Sequence, residues 1–202
     1  RLQGDWSSDV CSSDLVRRAV DYIRSEQEAE GSWFGRWGVN HIYGTAAVLP
    51  ALEKVGENMQ AEYVLRACDW LVARQNPDGG WGETCASYMD DSLRGRGPST
   101  PSQTGWALMA LVAQGGEQYR PAIERGADYL VQTQTDEGSW EELHFTGTGF
   151  PGYGGGARTT LAPGQTLNQG VELSRGFMLR YHMYRHYFAL MALGRVRDFL
   201  KG

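Results

Sequence analysis

Three times along this chain an amphipathic stretch runs into a glutamine, a short polar turn, a glycine and a tryptophan. The copies are RAVDYIRSEQEAEGSW (18–33), RACDWLVARQNPDGGW (66–81) and RGADYLVQTQTDEGSW (125–140). A unit repeated at this length cannot bury its apolar face alone, so it predicts a stacked-helix repeat architecture, to be recognised before any single residue is assigned a role.

The repeating positions are Gln27, Gly31 and Trp33, then Gln75, Gly79 and Trp81, then Gln134, Gly138 and Trp140. Each glycine stands where a helix has ended and the chain turns back, a place suited to positive φ. The glutamine amide can bond backbone groups left open at a helix end, and the indole can lie on that amide while its N–H donates once. These nine residues are therefore read as structural clasps between helices. Their location at turns, not in a cleft, supports that reading.

Between the repeats, apolar residues at helical spacing predict helices over 16–27, 41–55, 61–75, 101–114, 121–134 and 177–200. Thr100-Pro101-Ser102-Gln103 has the form of a capping box with proline at the first helical position. Trp106 to Val112 is apolar on nearly every side and should be walled in, whereas the repeat helices are amphipathic and belong outside. Alternating inner and outer helices give an all-α fold, an incomplete α/α toroid. The spacings from Trp33 to Trp81 (48 positions) and Trp81 to Trp140 (59 positions) each admit a helix pair. Two Gly-rich stretches, 82–99 and 146–176, are loops long enough to suggest function.

The first fifteen residues, RLQGDWSSDVCSSDL, fit none of this. They carry Ser-Ser-Asp twice and show no helical periodicity, so 1–15 reads as an extraneous segment and 16–202 as the domain proper. On that reading the gene extends upstream of Val16. The net charge of −5 argues against a nucleic-acid partner. No apolar run is long enough to span a bilayer, and no signal peptide is visible. The cysteines, Cys11, Cys68 and Cys85, have no metal-site spacing and suit a reducing compartment.

Beyond the clasps, WFGRWGVNHIYGT (33–45), NPDGGWGE (76–83), STPSQTGWALMAL (99–111), TGTGFPG (146–152) and FMLRYHMYRHYF (177–188) occur in this order. The set resembles the C-terminal portion of bacterial squalene–hopene cyclases, triterpene cyclases with Gln-Trp repeats, from about Val16 onward. The resemblance implies part of an α6/α6 barrel of terpenoid cyclase type, an isomerase acting on squalene without metal or organic cofactor. For the full-length protein it implies peripheral or monotopic attachment to the bacterial cytoplasmic membrane. A homodimer is compatible with it. Trp37, Tyr43, Tyr181 and Tyr184 correspond to catalytic positions, Tyr43 to a tyrosine in the hydrogen-bond network around the acid. Phe150, Phe177 and Leu179 correspond to substrate-contacting positions. Residues 153–176 resemble an insertion found in some bacterial members.

Cyclising a polyene needs a strong acid and then a dry cavity whose aromatic faces steady a moving carbocation, at about 2 kcal/mol or more per face when desolvated. In the family the acid is the middle aspartate of an Asp-X-Asp-Asp motif, and this sequence has none. The nearest string, Tyr88-Met89-Asp90-Asp91, has the form of a solvated acidic turn. The isolated chain is therefore expected to be inactive, and to expose inner apolar faces that further helices would cover.

Other readings remain on the residues alone. Tyr181, Tyr184 and Phe177 at helical spacing can be ordinary core. His182 and His186, four apart, lack a third ligand, so no metal is assigned. Gly154 to Gly156 lacks the Lys-Ser or Lys-Thr of a phosphate cradle. Arg36, Arg158, Arg175, Arg180 and Arg185 read as solvated or paired. A prenyltransferase-like toroid and a non-catalytic binding toroid are the alternatives. The first needs an Asp-x-Cys zinc partner that Cys85 does not have.

Overall fold

The three repeat glycines have φ of +106°, +88° and +76°, a region in which an L side chain is strained. Each repeat helix therefore stops and reverses as its sequence predicts. A computed structural model describes residues 9–88, 90–149 and 177–202. Its helices are α1 (Asp9–Ser25), α2 (His41–Lys54), α3 (Glu62–Ala73), α4 (Pro101–Gln114), α5 (Arg120–Gln132) and α6 (Tyr184–Lys201). Two short strands, β1 (Gly147–Gly149) and β2 (Phe177–Leu179), pair antiparallel. Short 3-10 turns lie at Cys85–Tyr88, Asp91–Leu93 and Glu117–Tyr119.

Helix α4 is the centre of the arc. It packs against α2 on one side and α6 on the other, and every residue from Pro101 to Leu111 is buried. Helix α3 lies over α2 and α4, and α5 over α4 and α6. The amphipathic repeat helices α1, α3 and α5 are thus outer, and α2, α4 and α6 are inner. Gly105 makes the closest inner approach possible, because a Cβ there would lie 2.7 Å from the Phe188 carbonyl oxygen. Thr100 caps α4 by accepting from the Gln103 N–H. The other half of the box is not made: the Thr100 N–H donates to the Trp81 carbonyl, and Gln103 Oε1 accepts instead from the Glu83 N–H and the Thr100 hydroxyl.

Most helix ends fall within about two residues of the sequence reading, but two starts differ by more. Helix α1 begins at Asp9 and not at Val16, so 9–15 is helical despite its composition. The last helix begins at Tyr184 and not at 177, because Phe177 to Leu179 pair their backbone with Gly147 to Gly149. Tyr181 therefore precedes the helix, and Phe177 does not extend the Tyr184 face. The stretch 82–99 is built rather than loose: Arg94, nearly buried, pairs with Glu28, Glu30 and Asp91. Helix α6 buries Ala189, Ala192 and Val196 but leaves Leu190 and Met191 67% and 47% exposed. Among the described residues no helix is long and apolar enough to cross a membrane.

Candidate functional site

The clasps are assembled between repeats as well as within them. Gln27 Nε2 donates to the Gly31 carbonyl at 2.8 Å and to the Tyr63 carbonyl of the next outer helix at 2.7 Å. Arg66 reaches back to Gln27 Oε1. Gln75 repeats this with Gly79 (2.8 Å), Ala122 (2.9 Å) and Arg125. The indole N–H of Trp33, Trp81 and Trp140 donates to the carbonyl of Ile23, Leu71 and Leu130 respectively. The opening arginine of one repeat thus serves the glutamine of the repeat before it. In all three copies the glutamine amide closes the turn that follows the repeat helix.

A second set of ties holds the inner helices. Glu83, two residues after Trp81, is buried, and its Oε2 accepts from the Asn40 N–H (3.1 Å) and the Ile42 N–H (2.9 Å) at the start of α2. Asn40 supplies no side-chain cap there, so this distant carboxylate satisfies two otherwise open donors at the positive end of the helix. Burial pushes the Glu83 carboxyl up, against those hydrogen bonds, which pull it down. Glu142, two residues after Trp140, does the same for α4, accepting from the Ser102 N–H at 3.0 Å and from the Thr146 hydroxyl at 3.1 Å. A Trp-x-Glu signal was present in both repeats, yet sequence reasoning passed over it.

These ties place the loop that carries Trp37. The Tyr88 hydroxyl lies 2.9 and 2.8 Å from the Gly35 and Gly38 carbonyls. Trp37 and Val39 bond to the segment leading into β1: the Thr148 N–H donates to the Trp37 carbonyl, and the Val39 N–H to that of Thr146. Gly38 bridges Gly147, which pairs in turn with Leu179, so Trp37, β1 and β2 share one small sheet. This explains how Trp37, far from any apolar stripe, is held in place. Its ring is 39% exposed, with the Arg36 guanidinium 5.1 Å from the ring centroid.

Next to that sheet lies a continuous group of aromatic rings. Tyr43 of α2 meets Trp106 of α4 at 5.0 Å between centroids. Trp106 meets Tyr184 and Phe188 of α6 at 5.9 and 5.3 Å, and Tyr184 stacks on Tyr181 at 4.4 Å with planes 23° apart. Tyr187 completes the group against Tyr184 and Phe188. The Tyr43 ring rests on Gly38, where a Cβ would lie 2.4 Å from it, which joins the group to the Trp37 loop. Of the expected residues, Tyr181 and Tyr184 meet directly, Tyr43 reaches them through Trp106, and Trp37 lies one residue from the edge of the group. Phe177 and Leu179 join through β2 backbone, their side chains being outside the described residues, as is Phe150. So are the expected insertion at 153–176, Gly154 to Gly156, Arg158 and Arg175.

Trp106, Tyr187 and Phe188 were missed. Tyr187 and Phe188 follow Tyr184 by three and four, a helical stripe that could have shown them. Trp106 gives no such signal, because α4 is apolar all round.

Burial pushes the Tyr43 hydroxyl above its ordinary value, with the Tyr181 phenol adding to the effect. It pushes Tyr184 up to about 12, the neighbouring tyrosines contributing less, and Tyr187 moves the same way. Tyr43, Tyr184 and Tyr187 therefore hold their protons more firmly than free phenols do. A cavity of about 250 Å³ beside Tyr181 is lined by Glu141, Glu142, Arg180, His182 and Arg185 among others. Its charged lining and small size set it apart from the apolar chambers of roughly 300–1,000 Å³ that hold organic ligands. Arg185 pairs with Glu141 and His186 with Ser139, and no cluster of three metal-ligating side chains occurs among the described residues. Asp90 caps the turn through Ser92, which holds its carboxyl below the usual range, and Asp91 pairs with Arg94. A carboxyl held down in this way makes Asp90 unsuited to donate a proton.

Comparison with known proteins gives a consistent result. The model of the squalene-hopene cyclase C-terminal domain matches residues 4–154. A squalene–hopene cyclase of Alicyclobacillus acidocaldarius is 48% identical over 184 residues, 91% of this chain and 25% of that protein. A dammaradiene synthase of Dryopteris crassirhizoma is 43% identical over 201 residues, covering 93% and 26%. The chain thus spans about a quarter of the length of these relatives. Among solved structures, the type II terpene cyclase MstE from Scytonema superposes with a TM-score of 0.65 at 19% identity, over 93% of this chain and 52% of that one, which shows a shared fold.

Proposed function

This chain belongs to the squalene-hopene cyclase family through that family's C-terminal domain, and we propose that it forms part of the wall of a triterpene cyclisation cavity, with squalene as substrate. The observation that carries this reading is the continuous group of neutral aromatic rings contributed by α2, α4 and α6 together with the Trp37 loop. A carbocation moving along a folded polyene is steadied by ring faces. Phenols kept protonated by burial offer those faces without a phenolate that would capture the cation.

Each residue has a part in this reading. Trp37, Tyr181 and Tyr184 face the cation, and Phe150, Phe177 and Leu179 contact the hydrocarbon. Tyr43 stands nearest to where a proton-donating acid would act. The acid itself, an Asp-X-Asp-Asp aspartate in the family, belongs to the upstream part of the full-length enzyme, so the 202 residues alone do not start the reaction. The full-length enzyme sits on one face of the bacterial cytoplasmic membrane, where its apolar substrate dissolves. No metal or organic cofactor takes part.

The test joins this chain to the remaining three quarters of the Alicyclobacillus relative and incubates the hybrid with squalene, reading products by mass spectrometry. Hopene from the hybrid and none from the isolated chain is the expected result. A hybrid that folds and binds squalene but yields no cyclised product would overturn the wall reading. Hopene from the isolated chain would overturn its dependence on an outside acid.

A further inference from the structure

Trp106 has a combination of properties that core packing does not explain. It is 2% exposed, and its indole is edge-on to three rings at once: Tyr43 (67°), Tyr184 (75°) and Phe188 (71°). Its Nε1 is buried without a hydrogen-bond partner among the described residues, as is that of Trp70 on the outer helix α3, whereas the three clasp tryptophans each donate to a carbonyl. An unmet buried donor is costly, and a leucine or phenylalanine would fill an apolar helix without it. What the indole adds at this point is breadth, enough to touch rings from two other inner helices.

Those rings have little other freedom. Tyr43 is trapped between Trp106 and the glycine backbone at 35 and 38. Tyr184 is trapped between Trp106, Phe188 and the stacked Tyr181. Gly105 seats the α6 backbone directly on α4, so the indole cannot back away from Phe188. Tyr43 and Tyr184 are each partly exposed while Trp106 is not, so the indole lies behind the rings and does not itself reach substrate.

We propose that Trp106 is a positioning residue of the cyclisation, fixing the angles of the Tyr43 and Tyr184 rings and so the stage at which the cation leaves the wall. The proposal rests on the cyclase reading above. With the indole gone, both rings gain room to rock, and the cation loses stabilisation part-way through the cascade. It then loses a proton from an adjacent carbon to water and departs as a partly cyclised alkene.

The experiment uses the full-length enzyme carrying this chain, with W106L, W106F and the outer-helix control W70F, each incubated with squalene. Misplacement of reacting groups by about 1 Å can cost up to ~100-fold. We expect W106L to lower kcat about tenfold with KM unchanged and to raise the share of partly cyclised products about tenfold. W106F should raise that share about threefold, while W70F keeps the parent product pattern. If W106L does not fold, the W106F product ratio decides the question. An unchanged product pattern in the folded Trp106 variants overturns the proposal even if stability falls, whereas a parent that forms no cyclised product overturns the cyclase reading instead.

Discussion

The first two clasps and the third are nearly the same sequence in different surroundings. At Gln27 and Gln75 the amide spans to the next outer helix and receives an arginine from it. At Gln134, among the described residues, the amide makes only the bond within the turn, to Gly138. The glycines tell the same story. A Cβ on Gly31 or Gly79 would lie 2.7 or 2.5 Å from the carbonyl oxygen of Arg66 or Arg125, and one on Gly138 meets nothing within 4 Å. Each repeat therefore encodes half of a contact and completes it only when another repeat stands beside it, which is the one-dimensional logic of repeat proteins.

Substituting the clasp glycines tests this difference most severely. Gly138→Ala should cost only the strain of a left-handed alanine, about 1–2 kcal/mol. Gly79→Ala adds a backbone collision with Arg125 and should cost at least twice as much, read from urea midpoints at constant m. Equal losses would mean that the close approach of α5 to the second clasp has no energetic weight. A smaller contrast follows at the glutamines. Gln75→Ala removes two donated bonds and one accepted, and should cost about 2 kcal/mol, against at most about 1 for Gln134→Ala.

The inner ties respond to pH. The Glu83 carboxyl is raised in the folded state by burial, so above the ordinary carboxylate value the unfolded chain releases a proton that the folded chain retains. The unfolded state then binds fewer protons, and this group's contribution to stability falls as pH rises from about 4.5 through the raised value. Glu83→Gln should flatten that part of the stability curve. A slope unchanged in the variant would show that Glu83 is fully ionised in the fold. The smallest effect belongs to the exposed face of α6. Leu190→Lys should leave the unfolding free energy within about 0.5 kcal/mol of parent while reducing self-association in light scattering, since that side chain meets solvent and not core.

Much of the architecture was legible because it is local. Turn glycines, periodic apolar residues and a proline-led helix start each act within a few residues, and α2, α4 and the clasps lie where those signals put them. The misplaced start of α6 shows the limit. Phe177 to Leu179 have helical spacing with Tyr181 and Tyr184, but a partner strand about thirty residues away offered their backbone a ladder, and that partner has no local signature. The start of α1 at Asp9 shows the converse, a composition that looks unhelical yet is continuous with the helix that follows it.

By itself, then, the sequence determined the repeat, the alternation of inner and outer helices, and the family. Short-range sterics and side-chain periodicity suffice for these. Only the tertiary structure decided which arginine completes which clasp, that Glu83 and Glu142 tie down helices some forty residues before them, and that Trp106 is the ring on which Tyr43 and Tyr184 lean. Such contacts form between segments distant along the chain, and a helix that is apolar on every side does not declare in its sequence which neighbour each side chain will meet.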